Sequence, residues 1–408
     1  MTNIPANDKH ILQELARKQL EFFYSPKNQE NIRHWYLNNA CKGERPMVHI
    51  ELGTFWPEIV PPRLVCQSEA GRKLEAELHN NMVNLELFDD DKPVPGFFPV
   101  RVHAHFLPFG IQPQRTVADE GLGFHVEPAI RDLEQDFHLL GEPEMPAGPF
   151  YDTQLMDLAQ DTFGKILPAR LRHGSINSYP SSAILGLMGM ETMFISMYDY
   201  PDLFHKMMDR YANDTLRLYD HMEKEGIVLP TTDGMVLSHG SFCYTDELPQ
   251  NASKVKQVWG HMNCQEATGM SQDMFAEFMF PYYKKIADRF ALLSYGCCEA
   301  VHPQWESLKT LGNLRKISIS PWCDEEFMGS ELRGTNIVYH RKPPPHYIGV
   351  GTVLDEDAVR ADIRRTVKAA RGCTLEISQR DVYSVNHDVE KVRRYVEIIR
   401  EECSRHER

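Results

Sequence analysis

The sequence predicts an α/β fold, namely a (β/α)8 (TIM) barrel preceded by an N-terminal helical extension. Eight short apolar runs have the length and bounding residues of strands, and amphipathic helices lie between them. A chain of 408 residues is long enough for one such barrel and an extension. The alternative is an open doubly wound sheet, but neither common Gly-rich phosphate loop that would favour it is found.

The elements follow one another in a regular rhythm. Residues 1–45 are predicted to form the helical extension, with polar helices over 11–22 and 29–41, and residues 46–408 a single barrel domain. The predicted strands are 47–52, 98–103, 173–177, 227–229, 292–294, 316–320, 336–340 and 374–378. A helix with alternating charges is predicted over 63–80, and the clearest predicted helices are 201–225, 271–290, 355–370 and 388–402.

The composition excludes several classes of partner. A net charge of -14 argues against nucleic acid and against anionic lipid surfaces. No apolar stretch approaches the roughly 18–20 residues of a membrane span, and the N-terminus has no signal-peptide pattern. The nine cysteines are odd in number and irregularly spaced, so we expect a cytoplasmic protein with reduced thiols.

The richest chemistry lies at residues 295–299, between the predicted strand 292–294 and a helix that begins near residue 302. In a barrel, the carboxyl ends of the strands carry the functional groups. Thiolates beside a carboxylate suit zinc, so Cys297, Cys298 and Glu299 are candidate metal ligands, and Cys298 and Glu299 candidate catalytic residues. Adjacent side chains of an extended strand point apart, so only Cys298 is expected to face the barrel mouth.

Other strand ends supply further candidates. His239 and Cys323 follow the fourth and sixth predicted strands and are candidate metal ligands. Asp233 is a candidate catalytic residue, although its Thr-Thr-Asp-Gly context suits a turn equally well. The candidate substrate-binding residues are His103 and His105, which alternate along one strand, together with Trp322, Lys342 and Arg380.

Two segments resemble the uroporphyrinogen decarboxylase superfamily. The first is SQDMFAEFMFPYYKKI at residues 271–286, which has an acidic and aromatic start, a mid-helix proline and a basic last turn. A proline inside a helix is costly, which makes this pattern specific. The second is LGLMGMETMF at 185–194, followed by the aspartate–proline helix start at 198–203. The similarity covers roughly residues 170–400.

The resemblance implies a (β/α)8 barrel with one of two chemistries. One branch moves methyl groups between corrinoid proteins and thiols, with zinc held by a His-x-Cys pair and a later cysteine. Here Tyr295 stands at the histidine position before Cys297, and Cys373 precedes the last strand. The resemblance therefore implies a zinc-dependent methyltransferase-like enzyme with a small-molecule substrate, a corrinoid protein as partner and a homodimer. Because the histidine of that pair is replaced here, we expect the zinc ligands to be Cys298, Glu299 and His239, with Cys297 and Cys323 as substitutes.

Two alternatives remain open. The other branch of the family decarboxylates a carboxylated tetrapyrrole without metal, in which case cationic side chains would bind the carboxylates. The candidates for that role are Arg101, Arg172, Lys342 and Arg380. The family's early Arg-Gln-Ala-Gly-Arg segment is not found, and the nearest text is Glu-Ala-Gly-Arg at 69–72. The second alternative is a non-catalytic binding member of the superfamily.

Overall fold

The computed structural model describes residues 4–117 and 124–406. The strands are β1 (Met47–Ile50), β2 (Phe98–Arg101), β3 (Gln114–Val117), β4 (Phe124–Glu127), β5 (Ala169–Arg172), β6 (Ile176–Ser178), β7 (Val236–Ser238), β8 (Ser241–Phe242), β9 (Trp259–Met262), β10 (Leu292–Tyr295), β11 (Leu314–Ile319), β12 (Val338–Arg341) and β13 (Leu375–Gln379). The helices are α1 (Ala6–Tyr24), α2 (Pro26–Asn39), α3 (Trp56–Ile59), α4 (Glu69–Val83), α5 (Leu133–Asp136), α6 (Thr153–Phe163), α7 (Pro180–Asp199), α8 (Pro201–Lys224), α9 (Gln272–Met274), α10 (Phe280–Ala287), α11 (Trp305–Leu308), α12 (Glu325–Leu332), α13 (His346–Gly349), α14 (Glu356–Ala369) and α15 (Val389–His406).

A seven-stranded parallel sheet forms the centre of the molecule, in the order β1-β13-β12-β11-β10-β9-β6. Every neighbouring pair in it is parallel. Helices connect its successive strands, because parallel strands need long crossovers. The predicted mixed α/β class with parallel strands is therefore confirmed, whereas the eight-stranded count differs from what the described residues form.

Two predicted strands account for that difference. Residues 227–229 are not a strand, and β9, which was not predicted, occupies the sheet position beside β10. The predicted strand 98–103 forms β2, but it pairs with β5 in a separate two-stranded sheet. At the edge of β1 where a β2 partner was expected, two carboxylates accept the backbone hydrogen bonds. Asp91 accepts from Val48 N and Asp90 from Ile50 N, each at 2.8 Å. In the described ranges the sheet thus does not close through β2.

The two faces of the sheet differ in polarity. Along each strand alternate residues point to opposite faces, and apolar residues such as Ile317 and Ile377 pack in the main hydrophobic core. The other face carries buried polar side chains. These are His49, His261, Ser294, Lys316, His340, Glu376 and Ser378.

The hairpin of β7 and β8 lies against this polar face. The carbonyl oxygen of Gly240, at its tip, is 2.8 Å from His49 Nδ1 on β1 and 2.7 Å from Ser378 Oγ. The preceding residue, His239, has its ring centre 4.3 Å from that of His261 on β9. In a flat sheet, β1 and β9 would lie about 24 Å apart, since strands are spaced by about 4.8 Å. The sheet must therefore curve around the hairpin, as in a barrel.

The predicted N-terminal helices are present as α1 and α2, and they pack on different parts of the molecule. A second apolar cluster joins α1 to α4, α6, β2 and β5, and it includes Leu12, Leu78 and Phe163. By contrast, α2 reaches the β7–β8 hairpin, because Asn39 Nδ2 donates to the carbonyl oxygens of Phe242 and Tyr244. The extension therefore helps to hold the hairpin inside the curved sheet.

Candidate active site

A cavity of about 440 Å³ opens at the carboxyl ends of four adjacent strands, β10 to β13. Each strand contributes the residues that directly follow it, which is where parallel α/β folds place their ligands. The lining comprises Cys297, Cys298, Ser320, Pro321, Trp322, Lys342, Pro343, Pro344, Pro345, His346, Arg380 and Asp381.

Both thiols face this cavity, contrary to the prediction that only Cys298 would. Their Sγ atoms lie 3.5 Å apart. The reason is Gly296, which has φ +96 and ends the extended strand before the cysteines. A Cβ at this position would lie 2.9 Å from Ser318 Cβ, so both the conformation and the close packing require glycine.

Two cations lie next to the thiol pair. Arg380 Nη1 donates to Cys297 Sγ at 3.4 Å, and its Nε donates to Glu51 at 3.1 Å. Lys342 is buried, and its Nζ is 3.4 and 3.3 Å from the carbonyl oxygens of Gly296 and Cys297. These contacts place positive charge around Cys297 in a site of restricted water access, where electrostatic interactions are strengthened.

The two thiols consequently differ in acidity. The hydrogen bond from Cys298, followed by the charges of Lys342 and Arg380, lowers the pKa of Cys297 to about 6. The same hydrogen bond, together with burial, raises the pKa of Cys298, whose Sγ also lies 3.3 Å from Asp381 Oδ2. These contacts favour a Cys297 thiolate that accepts a hydrogen bond from the Cys298 thiol.

Glu299 holds the turn that carries the thiols. Its Oε1 accepts from Cys264 N at 3.1 Å, and its Oε2 accepts from Cys297 N at 2.8 Å. Burial raises the pKa of this carboxyl group. Each oxygen of Glu299 thus accepts from a backbone amide, and the bond to Cys297 N positions that residue.

A pair of histidines lies beside the cavity. His239 Nδ1 is 3.4 Å from the carbonyl oxygen of Gly296, and its ring stacks on Tyr179 with 6.3 Å between ring centres. Burial, followed by the neighbouring His261, lowers the pKa of His239, and burial lowers that of His261 as well. Both imidazoles are therefore neutral.

The backbone at the tip of the β7–β8 hairpin is strained. Residues 238–240 all have positive φ, which is costly for Ser238 and His239.

Of the five predicted zinc ligands, Cys297 and Cys298 lie together, but the described residues do not bring a third one into a metal-binding group with them. Cys323 Sγ accepts from Val301 N at 3.3 Å and Ser320 Oγ at 3.8 Å, and the Glu299 oxygens are engaged as described. Across residues 4–117 and 124–406, no group of three or more His, Cys, Asp or Glu side chains is placed to hold a metal ion. The residues present do not fit a zinc ion with three protein ligands, and no step below passes through one.

The remaining candidates separate into those at the cavity and those elsewhere. Lys342, Arg380 and Trp322 line it, with Trp322 74% exposed at the rim. His103 and His105 line a different cavity of about 330 Å³, and Asp233 pairs with Arg172 at 3.4 Å. Tyr179 and His261 were not predicted as site residues; His261 lies in the short run 259–262, which has no clear apolar alternation.

Comparison with known proteins supports the fold. The chain is similar in structure to a methyltransferase from Methanosarcina mazei, with a TM-score of 0.52 and 13% sequence identity over 91% of this chain and 98% of that one. At this identity the similarity shows a shared fold. No family model and no curated protein sequence matches the chain. Among the described helices, none has both the length and the apolar character that crossing a membrane requires.

Proposed function

We propose that the chain is a methyltransferase acting on a small molecule, with the Cys297 thiolate as the group that accepts the methyl. The single observation that carries this proposal is the contact of Cys297 Sγ with the Cys298 thiol at 3.5 Å and the Arg380 guanidinium at 3.4 Å. A thiolate is the nucleophilic form of cysteine, and a hydrogen bond and adjacent cations are what stabilise it at neutral pH. The fold shared with a methyltransferase favours methyl transfer among thiolate reactions.

The two thiols divide the chemistry between them. Cys297 Sγ attacks the methyl carbon of the bound donor, so that the sulfur–carbon bond forms as the bond to the leaving group breaks. The leaving group departs with that electron pair and takes the proton of Cys298. Methylation removes the negative charge that raised the pKa of Cys298, so Cys298 becomes a better acid at the moment its proton is needed.

The other lining residues bind and orient. Lys342 and Arg380 would attract an anionic group of the donor and stabilise the thiolate of Cys298 once its proton has left. The proline segment 343–345 is a stiff wall, since its residues have a fixed φ. Return of Cys297 to the thiolate needs a strongly nucleophilic methyl acceptor, for which the family resemblance suggests the corrinoid of a partner protein.

The decarboxylase alternative receives less support from the cavity. Of the four cations expected to bind carboxylates, Lys342 and Arg380 line it. Arg101 is an exposed residue of β2, and Arg172 pairs with Asp233. A substrate with several carboxylates would therefore meet two of the four expected cations here, and the activated thiolate would have no role in decarboxylation. Methyl transfer gives a role both to the thiolate and to the two cations that line the cavity.

The proposal is tested by following the methyl group itself. The full chain is incubated with radiolabelled methylcobalamin, which runs the transfer between Cys297 and a corrinoid in reverse. In parallel it is incubated with methyl iodide as an unselective donor, and the labelled peptides are mapped. We expect the label on Cys297, its loss in Cys297→Ser, and its retention in the matched control Cys323→Ser. Label that is equal in Cys297→Ser and in the unchanged protein would overturn the assignment.

A further inference from the structure

We propose that Cys297 and Cys298 carry out a second, redox reaction. A small disulfide compound oxidises the two thiols, and a disulfide bond forms between these adjacent residues. The observation behind it is the geometry of the pair: the Sγ atoms lie 3.5 Å apart on a turn, both facing a cavity of about 440 Å³. The oxidation does not depend on methyl transfer. Only its effect on activity, the removal of the methyl-accepting thiolate, rests on the proposed function.

The pair differs from the other thiols near it. Burial raises the pKa of Cys264 to about 12, and burial also raises the pKa of Cys323. Cys297 instead has a lowered pKa, and the half-buried Cys298 lies beside it. Because the thiolate is the attacking species in disulfide exchange, a small oxidant should react at Cys297 first.

Neighbouring groups assist the second thiol. Asp381 Oδ2 lies 3.3 Å from Cys298 Sγ and can take its proton. Arg380 contacts Cys297 Sγ at 3.4 Å and lies 3.5 Å from Asp381, so its positive charge is next to both groups. Cys297, the attacking thiol, thus contacts the Arg380 guanidinium, which stabilises a thiolate. Cys298, which closes the disulfide, contacts the Asp381 carboxyl group, which can accept its proton.

The exchange balances in two steps. Cys297 Sγ attacks one sulfur of the oxidant, whose sulfur–sulfur bond breaks, and a thiolate leaves as the mixed disulfide forms. Cys298 gives its proton to Asp381 and attacks Cys297 Sγ, which releases the second thiolate. The proton passes from Asp381 to one leaving thiolate and solvent protonates the other. The protein loses two electrons, and the small disulfide gains them and becomes two thiols.

The product should be easily reduced. The Cα atoms of adjacent residues joined by a trans peptide are about 3.8 Å apart, whereas ordinary disulfides join Cα atoms about 4.4–6.8 Å apart. Closing the bond between neighbours therefore strains the turn, and strained disulfides are the labile and regulatory ones. This favours a reversible switch over a structural crosslink.

The test treats the full-length protein with glutathione disulfide, followed by blocking of free thiols and peptide mapping. We expect a peptide in which Cys297 and Cys298 are joined, with no glutathione retained, and full recovery with dithiothreitol. In Cys298→Ser, the reaction should stop after its first step and leave a stable glutathione adduct on Cys297. Cys297→Ser should react more slowly by on the order of tenfold, because the remaining thiol has the raised pKa. Cys41→Ser, a control outside the cavity, should behave as the unchanged protein.

Several outcomes would overturn the proposal. One is glutathione that stays attached to the unchanged protein, which would show that Cys298 does not resolve the adduct. Another is a disulfide that joins other cysteines. Retention of the native thermal unfolding temperature in both serine variants checks that they fold. Failure of methyl labelling with successful oxidation would reject the proposed function alone.

Discussion

Lys316 donates its ammonium group to Glu376 at 2.6 Å, and both side chains are fully buried on the polar face of the sheet. Lys316 also donates to Ser241 Oγ of the hairpin at 2.6 Å. The ion pair therefore ties the hairpin, which carries His239, to strands β11 and β13. Burial lowers the pKa of Lys316, and Glu376 opposes that shift.

Removing one partner of this pair should destabilise the protein strongly. We expect Glu376→Gln to lower the free energy of unfolding by about 3–5 kcal/mol, because it leaves the charge of Lys316 buried without a counter-charge. Urea denaturation measures it. The double variant Lys316→Met with Glu376→Leu should recover much of the loss, and a Glu376→Gln protein of unchanged stability would contradict the burial of the charge.

The reactivity of Cys297 should depend on pH in a distinctive way. Its pKa is lowered in the folded protein, so alkylation by iodoacetamide should reach its plateau well below the pKa of about 8.5 of a free thiol. Protonation as the pH falls through the lowered pKa should then suppress the reaction. The measurement is the rate of iodoacetamide incorporation at Cys297 against pH.

The cations should account for part of that lowered pKa. Lys342→Met removes a positive charge near the thiolate, so the midpoint of the pH–rate curve should move upward. Lys368→Met, a change at an exposed lysine outside the cavity, is the matched control and should leave it in place. A midpoint that is the same in both variants would show that Lys342 does not stabilise the thiolate.

Gly296 should be intolerant of a side chain. Gly296→Ala forces alanine to φ +96 and places its Cβ 2.9 Å from Ser318 Cβ. We expect a loss of about 1–3 kcal/mol in unfolding free energy, together with slower alkylation of Cys297. Gly334→Ala is the control that measures the cost of a positive φ alone, since Gly334 has φ +73 and nothing lies within 4 Å of the added Cβ. Equal losses in the two variants would exclude a role for the close packing.

The zinc content of the purified protein distinguishes a metal-free thiol site from the zinc site that the family resemblance implies. Since no three of the predicted ligands form a metal-binding group in the described residues, protein purified without chelator should carry much less than one zinc per chain by elemental analysis. About one zinc per chain, lost in Cys297→Ser, would show that the ligands rearrange around a metal and would favour the zinc-dependent form.

Much of the fold was accessible from local patterns. The alternation of apolar runs and amphipathic helices predicted β1, β10, β11, β12 and β13, because strand and helix periodicities are properties of short segments. The corner at 295–299 was predicted as a functional position from its place after a strand, and the cavity does lie there. Lys342, Arg380 and Trp322 were predicted on the same ground and line it as well.

The sequence by itself therefore determined the α/β class, the parallel strands and the strand-end position of the cysteines. Only the tertiary structure decided that both thiols converge, that backbone amides engage Glu299, and that the five predicted zinc ligands do not come together as one group in the described residues. Distances between residues remote in sequence depend on how the sheet curves and on the hairpin inside it, which no local pattern encodes. The close packing that reserves position 296 for glycine comes from Ser318 on the neighbouring strand, so the turn that brings Cys297 and Cys298 together is itself a tertiary feature.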